Sequence, residues 1–413
     1  MTPLRLRLLA SAAAFLIGLP VAELAARLTY GEGFHMVVDP QEDHPYRPST
    51  AYEQVWAGRQ VPFFANDLGW KDRAAGRVVE KRPPHPRIVL LGDSFVEGVG
   101  CRYEETPAGF LEKTLAASRP ELRSLEVLNG GRASFCPLLE YQRLKRFFAA
   151  GYRTDLVVLL LDESDPQDLV VYSSRPYERA PDGEPLGMHE WRFKPWMLPL
   201  YNNSALLRTV DRWQGAVKGW WRRRGEHVVD EVSAPPSDLR PDAPPLTAAR
   251  LLYLPDHAYL SLRANWMAHP PSLQGWAGVA LEETLADVLR VRRLAAQHGV
   301  PLVLVIYPWP QMAYTREDPA YYETLRRYFG LFQEEREMVY GRRPAPRVSV
   351  YQQRLHEFSR AQGIPLFDFI PEVQDTPSWH RLYQAEDVHF SPAGNRRLSE
   401  GIARFLLAER LVP

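Results

Sequence analysis

The sequence has few of the features that mark metal-binding, redox or nucleic-acid-binding proteins. Only two of its 413 residues are cysteines, and Cys101 and Cys136 match neither a zinc-ligand spacing nor a C-x-x-C pair. The 50 Lys and Arg residues balance the 50 Asp and Glu residues, so the formal net charge is +0. Without a basic excess, nucleic acid is not an expected partner. The 11 histidines are scattered, and we expect neither a metal nor a cofactor.

Long apolar runs are also scarce, and the one of membrane length lies at the N-terminus. Arg5 and Arg7 precede an apolar run from Leu8 to Ala22. Basic residues before such a run are typical of an export signal, and they place the body of the protein outside the cytoplasm. Residues 1–29 are therefore predicted to anchor the protein in a bacterial inner membrane, with a periplasmic catalytic domain. A cleaved signal peptide and a secreted protein are the alternative, although Ala22–Ala26 is a poor cleavage site.

Short apolar runs alternate with helical patterns from residue 87 onward. The runs contain β-branched and other apolar residues throughout, which is typical of parallel strands covered on both faces. The sequence therefore predicts an α/β fold, a doubly wound (flavodoxin-like) parallel sheet of about five strands. The predicted strands cover residues 87–91, 125–129, 155–161, 301–307 and 364–368.

The alternation is interrupted between the third and fourth predicted strands. Residues 170–275 form a long insertion that separates two halves of the core, 86–169 and 276–413. Residues 30–85 show no strong periodicity and are expected to wrap the body or to tether it. Within the insertion, residues 206–224 interleave Trp with Lys and Arg. Such a helix either lies on an anionic membrane or an acidic glycan, or packs its Trp side chains onto the body.

Three loops directly follow predicted strand ends, and parallel strands bring their carboxyl ends to one edge of a sheet. The loops are Gly92-Asp93-Ser94, Asn129-Gly130-Gly131 and Asp162–Asp165. Far along the chain, Glu386-Asp387-Val388-His389 precedes the last predicted helix. Nucleophilic serine chemistry needs a base, a group that orients the base, and donors for an oxyanion. Each segment alone is typical of a turn or a surface histidine, but together they predict such a site.

The combination resembles the SGNH (GDSL-type) hydrolase family. Val89-Leu-Leu-Gly-Asp-Ser94 resembles its first sequence block, Val127–Gly131 the second, Leu161–Asp165 the third and Asp387–Gly394 the last. Ile306-Tyr-Pro-Trp-Pro310 is similar to the fourth strand end of membrane-anchored members linked to exopolysaccharide loci. The resemblance covers residues 87–165 and 300–410.

The resemblance implies a role for individual residues. Ser94 is the expected nucleophile and His389 the expected general base, with Asp387 as the favoured acid and Glu386 as the alternative. The N–H groups of Ser94 and Gly131 are expected to form the oxyanion hole together with a third donor. That donor is usually Asn in the family, but Ser164 occupies its position here. Cys101 and Cys136 lie on loops of this edge and either pair or remain separate.

The implied activity is that of a serine esterase or O-acyltransferase. It would remove acetyl groups from a surface polysaccharide, or transfer them, through an acyl-Ser94 intermediate. The expected partners are an acylated carbohydrate or another ester, and the membrane through the N-terminal segment. Two alternatives remain open: a non-catalytic polysaccharide-binding or assembly component that retains the fold, and a membrane-proximal lipase or thioesterase.

Overall fold

The computed structural model describes most of the predicted core but not most of the insertion. The described residues are 3–30, 35–174, 177–181, 183–188, 195–211, 213–214, 276–313, 315, 346–385 and 387–412. Most of the basic, Trp-rich stretch 206–224 thus lies outside the described residues, although residues 205–211 are helical.

Eight strands form one mixed sheet in the order β1-β2-β3-β5-β4-β6-β9-β10, and β7 and β8 form a separate pair. The strands are β1 (Ala51–Trp56), β2 (Arg59–Ala65), β3 (Lys71–Asp72), β4 (Arg87–Leu91), β5 (Glu126–Asn129), β6 (Leu156–Leu161), β7 (Tyr177–Arg179), β8 (Pro185–Met188), β9 (Leu302–Ile306) and β10 (Leu366–Asp368).

The five predicted core strands are present, and neighbouring members pair in parallel. Their order, β5-β4-β6-β9-β10, places the first core strand between the second and the third. This is the flavodoxin-like order, so the α/β prediction is confirmed. The prediction of about five strands describes this parallel core but not the whole sheet.

The additional strands come from the segment 30–85, for which the sequence predicted no regular structure. Strands β1 and β2 form an antiparallel hairpin, and β3 joins the pair to β5. The hairpin turn uses Ala57 and Gly58, both with positive φ (46° and 71°). This geometry matches the twist of paired strands but lacks the usual Asn-Gly or Asp-Gly signal, which is why the sequence did not reveal it.

Helices cover both faces of the parallel core. They are α1 (Pro3–Tyr30), α2 (Ser94–Glu97), α3 (Pro107–Ser118), α4 (Pro137–Ala149), α5 (Asp165–Ser174), α6 (Leu198–Asn203), α7 (Trp276–Gln297), α8 (Pro310–Ala313), α9 (Val350–Gln362), α10 (Ile370–Gln374) and α11 (Pro392–Ala408).

Alternate side chains of each strand enter opposite cores, as the two-residue period of a strand requires. Val89 and Leu91 of β4 pack in the core that contains residues of α4, α7 and α9. Ile88 and Leu90 pack in the other core, against residues of α3 and α11. The two layers hold the sheet rigidly, so the loops at its carboxyl edge have a fixed relative position.

The N-terminal helix α1 is tied to the insertion by polar contacts. The Glu23 carboxylate accepts hydrogen bonds from the N–H groups of Ala205 and Leu206, both at 3.0 Å, and Arg27 donates to the Asn203 carbonyl at 2.7 Å. Although burial raises the pKa of Glu23, hydrogen bonds from residues 204–206 and Arg27 lower it to about 2. Within the described residues, no helix combines the length and the apolar character of a membrane span.

A buried ion pair between Glu97 and Arg132 also holds the N-terminal segment, through Tyr46. The Glu97 carboxylate accepts hydrogen bonds from the Tyr46 hydroxyl at 2.9 Å, Arg132 Nη1 at 3.1 Å and the Ala133 N–H at 2.8 Å. Burial alone would raise the pKa of Glu97, but Arg132 and Lys71 hold it below its ordinary value. Glu97 therefore remains charged inside the protein and links three separate parts of the chain.

We expect Glu97→Ala to lower the free energy of unfolding by about 3–5 kcal/mol, because it leaves Arg132 buried without its counter-charge. Urea titration measures the loss. Glu104→Ala is the control, because it removes an acidic side chain that is exposed. Because the pKa of Glu97 is lowered on folding, its contribution is complete above the ordinary carboxyl range and disappears as pH falls through the folded pKa. Equal effects of the two substitutions at pH 7 would contradict this account.

Candidate active site

Ser94 lies three residues beyond the carboxyl end of β4 and is the first residue of helix α2. The preceding Asp93 caps this helix, since its Oδ1 accepts the Phe95 N–H at 2.9 Å and also the Tyr307 hydroxyl at 2.8 Å. Burial, with Asp162 nearby, raises the pKa of Asp93 well above its ordinary value. The strand end and the cap together fix the direction in which the helix starts.

Ser94, His389 and Asp387 form one hydrogen-bonded chain. Ser94 Oγ lies 2.7 Å from His389 Nε2, although the two residues are 295 positions apart in sequence. His389 Nδ1 contacts Asp387 Oδ1, which also accepts the His389 N–H at 2.8 Å. The imidazole thus has a hydroxyl on one ring nitrogen and a carboxylate on the other. This is the arrangement that a general base needs to take a proton from a serine.

The acid in contact with His389 is Asp387. Burial alone would raise the pKa of Asp387, but hydrogen bonds from His389 and Trp56 outweigh burial and hold it below its ordinary value. Asp387 is therefore ionised at neutral pH and can hold the proton of His389 on Nδ1. The alternative acid, Glu386, lies outside the described residues.

Gln384 joins the histidine loop to the nucleophile loop. Its backbone N–H donates to the His389 carbonyl at 2.8 Å. Its side-chain amide donates to the Val99 carbonyl at 2.7 Å and to the Phe390 carbonyl at 3.2 Å. One buried side chain thereby holds both loops at the spacing that the contact between Ser94 and His389 requires.

The N–H group of Gly131, which was expected in the oxyanion hole, already donates to an acceptor within the protein. It donates to Asn129 Oδ1 at 3.1 Å, and a Cβ at Gly131 would lie 2.2 Å from the Glu97 nitrogen. Gly131 therefore packs against the backbone of α2. In the same loop, Ser134 is exposed with φ of 59°, and its N–H makes no hydrogen bond to the described residues. The N–H of Ser94 is likewise without an acceptor among them.

The hydroxyl group of Ser164 is also engaged. Ser164 Oγ donates to Asp162 Oδ1 at 2.6 Å, and the Ser164 N–H donates to the same oxygen at 2.7 Å. The other Asp162 oxygen accepts Trp309 Nε1 at 2.6 Å. Ser164 thus completes a local turn around Asp162, and its hydroxyl cannot serve another acceptor unless that bond breaks.

The two cysteines are both buried and unpaired. Cys101 Sγ lies 3.5 Å from Arg59 Nη1, whereas Cys136 packs in an apolar cluster with Phe135, Leu138, Leu139 and Leu169. Burial raises the pKa of both thiols. Pairing, which the sequence left open, does not occur because each cysteine belongs to a different packed environment. Within the part of the chain that the structure describes, no group of His, Cys, Asp and Glu is arranged to hold a metal ion.

One contact at the site was not anticipated from the sequence. Trp56, at the end of β1, donates its Nε1–H to Asp387 Oδ2 at 3.0 Å, and its ring meets the His389 ring edge-on at 5.5 Å. Trp56 lies in the segment without strong periodicity, 331 residues before Asp387. No local pattern could have indicated this contact, because only the sheet brings the hairpin to this loop.

Comparison with solved structures identifies lipolytic and esterase proteins of low similarity. A lipolytic protein of the G-D-S-L family from Desulfitobacterium hafniense is 11% identical, with 78% of this chain and 100% of that chain covered and a TM-score of 0.35. An acetyl xylan esterase is 8% identical, with 76% of this chain and 97% of that chain covered and a TM-score of 0.35. A lipase/acylhydrolase from Enterococcus faecalis is 12% identical, with 78% of this chain and 96% of that chain covered and a TM-score of 0.33.

No protein-family model matches the sequence, and no curated protein matches it.

Packing at Gly131 leads to a testable expectation. We expect Gly131→Ala to destabilise the protein by about 1–3 kcal/mol or more, because the new methyl group would overlap the backbone of α2. Thermal unfolding measures the loss, and Gly18→Ala is a control because no atom lies within 4 Å of a Cβ at Gly18. An unchanged midpoint for Gly131→Ala would show that Gly131 does not pack against α2.

Proposed function

We propose that this chain is an SGNH-type serine esterase that acts through an acyl-Ser94 intermediate. The observation that carries the proposal is the hydrogen-bonded chain Ser94–His389–Asp387 at the carboxyl edge of the parallel sheet. Three side chains from two sequence-distant loops meet there in the order nucleophile, base and acid. Active sites of open α/β sheets lie at this same edge.

The geometry suggests a sequence of proton transfers. His389 Nε2 takes the proton of Ser94 Oγ as the oxygen attacks the ester carbonyl, while Asp387 stabilises the imidazolium ion. The C–O bond to the alcohol then breaks, and His389 gives its proton to the leaving oxygen. In the second half, His389 activates water or another alcohol, which attacks the acyl carbonyl and releases Ser94.

The oxyanion formed in each half needs N–H donors. The N–H of Ser94 comes with the nucleophile itself. The Gly131 N–H, the expected second donor, already donates to Asn129 Oδ1 at 3.1 Å and would have to leave that acceptor to serve the oxyanion. Ser164 does not supply the third donor, since its hydroxyl donates to Asp162. This leaves a smaller set of donors than the family resemblance implies, and we expect a correspondingly modest rate.

The substrate part of the proposal is an acetyl ester on a surface polysaccharide. It is supported by the resemblance of residues 306–310 to members linked to exopolysaccharide loci. It is further supported by Trp56, whose ring is 37% exposed beside His389, because aromatic faces stack on sugar rings. An extracytoplasmic location, with residues 1–29 as anchor, is part of the same proposal and rests on the two arginines before the apolar run.

The decisive experiment combines turnover with covalent labelling. We expect the protein to hydrolyse p-nitrophenyl acetate and to form a fluorophosphonate adduct at Ser94, and Ser94→Ala to abolish the adduct and lower turnover by at least about 10³-fold. Mass spectrometry of the labelled peptide identifies the residue. Neither turnover nor adduct in the folded wild-type protein would sink the esterase proposal and favour the binding-component alternative.

Additional substrates separate the finer alternatives. Acetylated oligosaccharides and long-chain p-nitrophenyl esters test glycan esterase against lipase or thioesterase. An unacetylated oligosaccharide added with p-nitrophenyl acetate tests transfer, since transfer yields acetylated sugar by mass whereas hydrolysis yields only acetate. Preference for the long-chain esters would contradict the glycan assignment but leave the Ser94 chemistry intact.

Ser164 offers a separate test of the donor assignment. We expect Ser164→Ala to change kcat/KM within about threefold, against about 10²–10³-fold for the loss of an oxyanion donor. The reason is that its hydroxyl already donates to Asp162 Oδ1. Steady-state kinetics with p-nitrophenyl acetate measures the change, with thermal unfolding to exclude loss of the fold. A 100-fold loss, on the order of a missing donor, would return Ser164 to the oxyanion hole.

A further inference from the structure

The two oxygens of the Asp387 carboxylate have different partners. Oδ1 accepts the His389 N–H at 2.8 Å and contacts His389 Nδ1. Oδ2 accepts Trp56 Nε1–H at 3.0 Å. A carboxylate with donors on both oxygens cannot rotate about its terminal bond without breaking a charge-assisted hydrogen bond. The indole N–H therefore constrains the orientation in which Asp387 meets the imidazole.

The tip of the β1–β2 hairpin is itself held in place. Trp56 and Arg59 are opposite each other across the turn, and Arg59 Nη2 bonds Glu105 Oε2 at 3.0 Å. On β1, Gln54 Oε1 accepts the Gly100 N–H at 2.9 Å. Both strands of the hairpin are thus attached to the loop that follows α2. Arg59 and Glu105 pair with each other, and the Trp56 indole contacts Asp387.

Gly100 permits this close approach. It has φ of 68°, and a Cβ there would lie 2.7 Å from Gln384 Oε1 and 3.2 Å from the Trp56 Cβ. Trp56 and Gln384 therefore reach the same glycine from the hairpin and from the histidine loop. The spacing between hairpin, nucleophile loop and histidine loop is fixed at this point.

The rings around His389 complete the arrangement. Trp56 meets the imidazole edge-on, with ring centroids 5.5 Å apart and planes at 80°, and Phe95 lies at 4.9 Å. Phe95 follows the nucleophile directly in sequence, whereas Trp56 comes from the N-terminal segment. The imidazole is thus bounded by one aromatic ring from each side of the site.

We propose that Trp56 is a positioning residue for the esterase reaction, which acts by holding the Asp387 carboxylate through its indole N–H in the orientation that serves His389. This inference rests on the proposed function of the Ser94 site. It assigns a role in the reaction to the N-terminal hairpin, which the sequence presented only as a wrapping or tethering segment.

The test is Trp56→Phe, which removes the N–H and keeps an aromatic ring. We expect kcat for p-nitrophenyl acetate to fall about 10-fold, with KM within about twofold, since a hydrogen bond to a charged group is lost. The loss should fall on kcat and not on KM, because the indole N–H contacts Asp387 and acts on the reaction through it.

Two controls separate positioning from a structural effect. Val55→Ala changes the neighbouring hairpin residue, which is 59% exposed, and should leave kcat and KM unchanged. In an Asp387→Asn background, Trp56→Phe should have little further effect, because Trp56 acts through Asp387. An unchanged kcat, a rise in KM that matches the fall in kcat, or an undiminished effect in the Asp387→Asn background would overturn the proposal.

A measurement on the wild-type protein covers the case in which the variant does not fold. The ¹⁵N-indole N–H of Trp56 should exchange slowly with solvent because it donates to Asp387, and exchange as fast as in a free indole would count against the contact. Failure of the proposed role of Trp56 can be distinguished from failure of the proposed esterase activity. If wild-type Ser94 neither turns over substrate nor labels, the proposed esterase is wrong. If it does both and Trp56→Phe behaves as wild type, only the role of Trp56 is wrong.

Discussion

The hydrogen bond between Ser94 Oγ and His389 Nε2 is the contact on which the candidate site depends, because it joins residues 295 positions apart. A distance of 2.7 Å across such a separation requires that both loops be fixed by rigid elements. The parallel core fixes one loop at the end of β4. The other is held by Gln384, which bonds the carbonyls of Val99 and Phe390.

The polar groups around this contact are organised so that most of them already have partners. Asp93 accepts from Phe95 and Tyr307, and Asp162 accepts from Ser164 and Trp309. Buried polar groups with satisfied hydrogen bonds give a stiff site, since any reorientation leaves a donor or acceptor unpaired. In the same organisation the Ser164 hydroxyl, which stands where the family resemblance leads one to expect Asn, donates to Asp162.

The N-terminal segment is an integral part of this organisation. It contributes three strands to the sheet, a buried partner to Glu97 through Tyr46, and the indole donor to Asp387 through Trp56. Periodicity could not reveal these contacts, because β3 has only two residues and the hairpin turn lacks an Asn-Gly or Asp-Gly pair. Their stabilisation comes from pairing with distant strands and not from local preference.

The sequence by itself determined the α/β class, the five parallel strands and the loops at their carboxyl edge, because apolar runs and strand-end turns are local signals. It also indicated Ser94, His389 and Asp387 as a group. Only the tertiary structure decided which donors are free. The Gly131 N–H turns to Asn129, the Ser164 hydroxyl to Asp162, and Trp56 reaches Asp387 from 331 residues away. These outcomes depend on side-chain directions and on sheet order, which residue types and spacing do not specify.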